Sequence, residues 1–332
     1  MNFTGYELKI LEFIQRIMRH EIVDKIFIYI SYLGEAYLFI VIALILYWLF
    51  DKKWAYKFVT AFLTSTVVVG ILKVVIKRRR PYQDSMTVES VGTPATEAYG
   101  EHSYSLPSGH SNAASSITTG VLKETKNKLI WTLLILNVIL VPFSRMYLGQ
   151  HYLTDVLLGV FIGFITVTLV YYIFSKIKRE ELVGLILLPF ILAGVAVLIV
   201  FKLYNKEMFQ AAGAFTAFAI GYLFEKKVIK FHPKDKRVWV QLLKIIIGLG
   251  VTFGLQQGLK YVLPYAEVAD GATIPLMNFV WDAVRYFIIA LWATVGATAL
   301  FKGLFRTKEE KVEEVEKIVP RVRVQLPYQR TK

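Results

Sequence analysis

The chain has 332 residues, 55% of them apolar and 19% charged, with a mean hydropathy of +0.50, a balance that excludes a soluble globular domain and gives a polytopic helical membrane protein. A net charge of +14 would suggest nucleic acid in a soluble protein, but most Lys and Arg stand in short segments between apolar runs, so they report orientation in a bilayer and no nucleic-acid partner is inferred. The absence of Cys excludes disulfides and thiolate metal sites.

Residues 5–22 place Leu8, Leu11, Ile14, Ile17 and Met18 at helical spacing opposite a charged face, the pattern of an amphipathic helix lying in the membrane interface. Glu7, Glu12, Arg16 and Arg19 interrupt any apolar core there, which argues against a signal peptide. Gly34 is expected to bend the chain before a first span at 36–50. A second span runs from about Trp54 to Ile76, and Pro81 breaks the helix beyond it. Residues 82–106 form a long polar loop carrying Asp84, Glu89, Glu97 and Glu101, read as a lid or headgroup selector. A short third helix begins at Ser108 and runs to Val121; a fourth span covers 129–143 and a fifth 152–174. Further apolar segments follow at 182–203, 209–224, 238–263 and about 281–301, and a charged tail begins at Lys302.

The expected fold class is therefore all-α: a polytopic membrane bundle with a five-span core, about four further C-terminal spans and an N-terminal interfacial helix. The implied division is 1–34 for the interfacial helix and lead-in, 35–178 for the core, 179–301 for the C-terminal helices and 302–332 for the tail. The Lys-rich loops near 52–57, 123–128, 176–179 and 226–237 share one side of an alternating topology, which is then the cytoplasmic side of a cell membrane. The opposite side is poor in Lys and Arg around 264–275 and carries only Lys202 and Lys206 near the 203–208 turn, yet holds the basic run 77–80 and Arg145. Orientation does not account for those cations; an anion would.

Three segments supply the chemistry on that extracytoplasmic side: Lys73 followed by Arg80-Pro81, then Pro107-Ser108-Gly109-His110, then Ser144-Arg145 followed by His151 and Asp155. Phosphoryl transfer spreads negative charge over the phosphoryl oxygens and is stabilised mostly by positioned cations, which Lys73, Arg80 and Arg145 provide. Ser108 and Gly109 open a helix whose free N–H groups favour an anion. On a helix beginning near Gln150, His151 and Asp155 would share a face, and the carboxylate would orient the imidazole as a nucleophile. His110 is placed to protonate the leaving oxygen and then to activate water. No carboxylate or His/Cys cluster suited to a metal accompanies these residues in sequence, so neither metal nor cofactor is expected. Lys77, Arg78 and Arg79 are read as ordinary interfacial charges. In the second half, Gly250, Gly254 and Gly258, together with Gln256, Gln257, Lys260, Asp282 and Arg285, are read as helix packing and interfacial pairing, with a lipid-tail groove, a dimer contact or a regulatory site as alternatives.

These segments resemble the type-2 phosphatidic acid phosphatase and vanadium haloperoxidase superfamily, whose signature K-x6-RP, PSGH, SR-x5-H-x3-D is kept here without departure in KVVIKRRRP (73–81), PSGH (107–110) and SRMYLGQHYLTD (144–155). The resemblance covers about residues 20–175. It implies that Lys73, Arg80, Ser108, Gly109 and Arg145 bind phosphate, that His110 is the acid/base, and that His151 with Asp155 makes the nucleophile. The activity it implies is metal-free hydrolysis of a lipid phosphomonoester or diphosphate of the undecaprenyl diphosphate, phosphatidate or phosphatidylglycerophosphate type, through a phosphohistidine. Alternatives are a lipid phosphotransferase and, from another class, a non-catalytic lipid-headgroup binding or transport protein. The expected partners are a membrane lipid and the bilayer, with a homodimer through the C-terminal spans as a further expectation.

Overall fold

The computed structural model describes residues 3–92, 104–268 and 274–305. The middle of the expected lid and nearly all of the charged tail lie outside those residues. All regular structure described is helical: α1 Phe3–Met18, α2 Glu21–Tyr32, α3 Ala36–Ile45 with a π turn at Leu46–Phe50, α4 Lys52–Ile76, α5 Pro81–Asp84, α6 Gly109–Leu122, α7 Lys128–Tyr147 and α8 Leu153–Lys176. The second half adds α9 Glu181–Val200, α10 Lys206–Phe224, α11 Val238–Val262, α12 Leu276–Leu291 and α13 Ala297–Leu304, with a π turn, Trp292–Gly296, joining the last two.

This is a multi-pass membrane protein. Six of the described helices are long and apolar enough to cross a bilayer, or seven counting α2 with α3, a pair bent by 45° around Gly34. α6 falls outside that group because 14 residues rise only about 21 Å, short of a ~30 Å hydrocarbon core. α10 falls outside it as well; Lys206, Glu207 and Gln210 crowd its first turns.

Side chains fix where the helices start. Asp51 caps α4 by accepting the Lys53 and Trp54 N–H groups, and Asn127 caps α7 in the same way. At its other end α4 stops on Lys77, whose φ of 56° turns the chain sharply so that the following arginines head back toward the bundle.

Two close approaches set the frame of the site. On α8, a Cβ at Gly159 or Gly163 would run into the backbone oxygen of Ser108 or Asn112, so these glycines let α6 lie directly against α8. On α4, a Cβ at Gly70 would stand 2.8 Å from Met208 Cβ, which brings the start of α10 against the end of α4. An aromatic core ties the two halves together: Tyr56 stacks on Tyr222 at 3.8 Å and lies over Phe218, while the Trp48 indole N–H donates to the Ala293 carbonyl at 2.9 Å. By contrast, a Cβ at Gly250, Gly254 or Gly258 would meet nothing within 4 Å. That stripe faces open space, and the close intramolecular packing expected for it is absent among the described residues. The expected pairing nearby is present: Asp282 and Arg285 form a buried 3.0 Å ion pair, and Gln256 donates to Tyr286 Oη.

The amphipathic first helix carries an exposed apolar side of Tyr6, Ile10, Phe13 and Ile17. Its buried side is not purely apolar, because Glu7 and Gln15 flank Leu11 there. Gln15 donates to the carbonyls of Glu89 and Tyr147, pinning the helix over the loop that follows α5.

Candidate active site

The C-terminal ends of α4 and α7 and the N-terminal ends of α6 and α8 meet at one end of the bundle, and they bring the three sequence segments together. Ser108 donates its backbone N–H to the Asp155 carbonyl at 3.0 Å, joining the second segment to the third. Arg80 Nη1 lies 3.0 Å from the Gln150 carbonyl and 3.5 Å from His151 Nε2, joining the first to the third. A Cβ built on Gly109 would lie 3.7 Å from Lys73 Nζ, so the first segment also touches the second. Lys73, Arg80, Arg145, His151 and Asp155 are all nearly inaccessible, with exposures of 3%, 7%, 1%, 2% and 0%. Ionisable groups so deeply placed in a membrane bundle mark a functional site.

His151 does not stand on a helix. The Asp155 carboxylate accepts the Tyr152 N–H at 2.8 Å as part of a capping box, so α8 begins at Leu153 and His151 occupies the turn before it. Gly149, at φ 69°, makes that turn while packed against the Glu89 backbone, where a side chain would clash. The four-residue spacing still works: His151 Nδ1 is 3.6 Å from Asp155 Oδ2. Ser105 bridges the gap, donating to Asp155 and standing 3.5 Å from His151 Nδ1. With Nδ1 turned toward Asp155 and Ser105, Nε2 faces the cations. Burial, then Arg80, Arg145 and Lys73, push the His151 pKa well below its ordinary value, so the ring is neutral and carries a free lone pair at neutral pH.

Arg145 donates to Ser31 Oγ at 2.6 Å, and its Nε has no hydrogen-bond partner among the described residues. A buried guanidinium N–H left open in this way is a ready donor for an oxyanion. Ser108 serves as N-cap of α6, accepting from the Ser111 N–H.

Sequence reasoning missed several residues here. Arg78, expected to be an ordinary interfacial charge, instead donates to Asp155 Oδ1 at 2.8 Å, to Thr154 Oγ1 at 2.6 Å and to Glu7. It lies over the Tyr152 ring at 3.8 Å as well. The correction has a physical cause: the turn at Lys77 points Arg78 inward, where two buried carboxylates need a cation, while Lys77 and Arg79 remain exposed as expected. Glu35, placed by the bend at Gly34, stands 3.1 Å from His110 Nε2. Glu207 of α10 binds Lys73 through both carboxylate oxygens at 3.0 and 3.1 Å. Among the described residues, no group of three or more His, Cys, Asp or Glu has the arrangement of a metal site.

Residues 54–179 match the family model described as the PAP2 superfamily, and residues 209–309 match the one described as PAP2 superfamily phosphatase, transmembrane extension. The chain is 30% identical over 143 residues to the undecaprenyl-diphosphatase of Sulfolobus acidocaldarius, a match covering 42% of this chain and 65% of that relative, which is just under two thirds of its length. Among solved structures, Aquifex aeolicus LpxE matches with 26% identity and a TM-score of 0.43 over 50% of this chain and 94% of its own. The first transmembrane PAP2 type phosphatidylglycerolphosphate phosphatase from Bacillus subtilis matches with 24% identity and a TM-score of 0.43, over 54% of this chain and 90% of its own.

Proposed function

The chain belongs to the PAP2 superfamily, and from that premise we propose that it is a membrane lipid phosphatase that hydrolyses a phosphomonoester or diphosphate headgroup through a phosphohistidine. The observation that carries this reading is the orientation of His151: Nδ1 toward Asp155 at 3.6 Å and Nε2 beside Arg80 at 3.5 Å. In the first step His151 Nε2 attacks phosphorus, the bond from phosphorus to the leaving oxygen breaks, and His110 gives that oxygen a proton. In the second, His110 takes a proton from water, the water oxygen bonds to phosphorus, the N–P bond breaks, and inorganic phosphate leaves. Asp155 stabilises the positive charge on His151 in between. Lys73, Arg80, Arg145 and the backbone N–H groups at Ser108 and Gly109 neutralise the phosphoryl oxygens. Glu35 stands 3.1 Å from His110 Nε2 and orients that ring as Asp155 orients His151.

The relative's name points to a polyprenyl diphosphate such as undecaprenyl diphosphate; phosphatidate and phosphatidylglycerophosphate share the phosphate chemistry the site would recognise. We assign the site to the extracytoplasmic face of the cell membrane, because the lysine-rich loops gather at the other end of the bundle. The test is phosphate release by the purified protein from a panel of these lipids with EDTA present. Hydrolysis predicts free inorganic phosphate and an acid-labile phosphoenzyme; transfer of phosphate to an added alcohol in its place would indicate a phosphotransferase.

A further inference from the structure

Glu207 belongs to none of the three signature segments, and it stands two residues before the stretch matched as the transmembrane extension. It nonetheless reaches the phosphate-binding side chains. Both of its oxygens hold Lys73 Nζ, and a Cβ built on Gly109 would lie 3.6 Å from Glu207 Oε2. The carboxylate therefore covers the surface where a phosphate would meet the Lys73 ammonium and the Gly109 backbone. The contact is fixed by its surroundings. Gly70, one turn before Lys73, admits Met208, the neighbour of Glu207, and Asn205 anchors the helix start by accepting the Met208 N–H at 3.1 Å. Within the pair Lys73 is the inner member, with its side chain 4% exposed, and Glu207 the outer one at 38%.

A phosphate and a carboxylate cannot both take the same ammonium without like charges coming together. We infer that Glu207 competes with the phosphate for Lys73 and so weakens retention of the anion, above all of the inorganic phosphate left after turnover. This rests on the phosphatase reading and deepens it. α10, most of which lies within the extension, thereby acts on the reaction directly: its first turn supplies the competitor that retakes Lys73 as the product departs.

Inorganic phosphate is the probe, measured as an inhibitor of turnover and by isothermal titration calorimetry on the full-length protein in detergent. Glu207→Gln is expected to lower both the Ki and the Kd for phosphate by about tenfold, equivalent to ~1.4 kcal/mol. KM should move the same way, and Glu207→Asp should restore wild-type values. Should the amide variant not fold, Glu207→Ala supplies the same comparison. Phosphate affinity unchanged or weakened in a folded variant, with kcat reduced and KM unaltered, would show that Glu207 only holds Lys73 in position and would overturn the inference while leaving the phosphatase reading intact. A wild-type protein that neither binds phosphate nor releases it from lipid overturns both.

Discussion

The two ends of the helix bundle carry similar cations, and they differ in one of them, Arg145. At the lysine-rich end, carboxylates answer them: Lys52 meets Glu225 at 2.7 Å, Lys226 meets Glu180 at 2.6 Å and Glu181 at 2.8 Å, and Arg237 meets Asp235 at 2.7 Å. Lys226 is well exposed there. At the site end Lys73 and Arg78 meet carboxylates as well, but Arg145 donates to the Ser31 hydroxyl at 2.6 Å and its Nε has no hydrogen-bond partner among the described residues. A charge matched at the surface contributes little beyond solubility and orientation. A buried charge held by neutral dipoles keeps its field for something that arrives later, which is what a site for a transient oxyanion requires.

Substitutions at the site end should be felt first in catalysis. His151→Ala removes the nitrogen we propose as the nucleophile and should lower kcat for phosphate release by roughly 10⁴-fold or more, as for other covalent nucleophiles. Arg145→Lys keeps the charge but not the forked donors, so kcat/KM should fall about 10²-fold; an unchanged value would mean that the open Nε faces nothing during turnover. Arg78→Ala strips a cation from buried Asp155 and Glu7 and should cost about 3 kcal/mol of stability, read as a lower thermal midpoint in detergent. A milder effect follows from pH. His151 resists protonation in the native state, so below its ordinary value of 6.5 the unfolded chain binds a proton that the folded one refuses. Stability should therefore rise with pH up to about 6.5 and be lost as pH falls below it. Comparing melting curves at about pH 5 and about pH 7.5 checks this, and His151→Gln should flatten the slope. At the other end, Lys226→Ala should change stability by less than ~1 kcal/mol and leave turnover unaltered. A large catalytic loss there would erase the distinction between the ends.

The sequence made the cations and imidazoles of the site legible because their spacing is local: Lys73 to Arg80, and Arg145 through His151 to Asp155, each lie within one connected stretch. Their partners were not legible. Glu7 meets Arg78 across 71 positions, Ser31 meets Arg145 across 114, and Lys73 meets Glu207 across 134. No periodicity within a helix encodes such distances. Small residues show the same limit. Gly159 and Gly163 share the four-residue spacing of Gly250, Gly254 and Gly258, yet the first pair seats α6 against α8 while the second set faces open space. Spacing announces that a neighbour could come close; only the fold says whether one does.

The first helix adds a matter of timing. Glu7 accepts from Arg78 and from the Thr154 backbone N–H, groups made 71 and 147 residues after it. α1 is thus seated only when α8 has begun to form. A nascent chain that has inserted its first spans possesses Lys73 and Arg80 but lacks Asp155 to pair with Arg78, so the enzyme cannot be switched on piecemeal during synthesis.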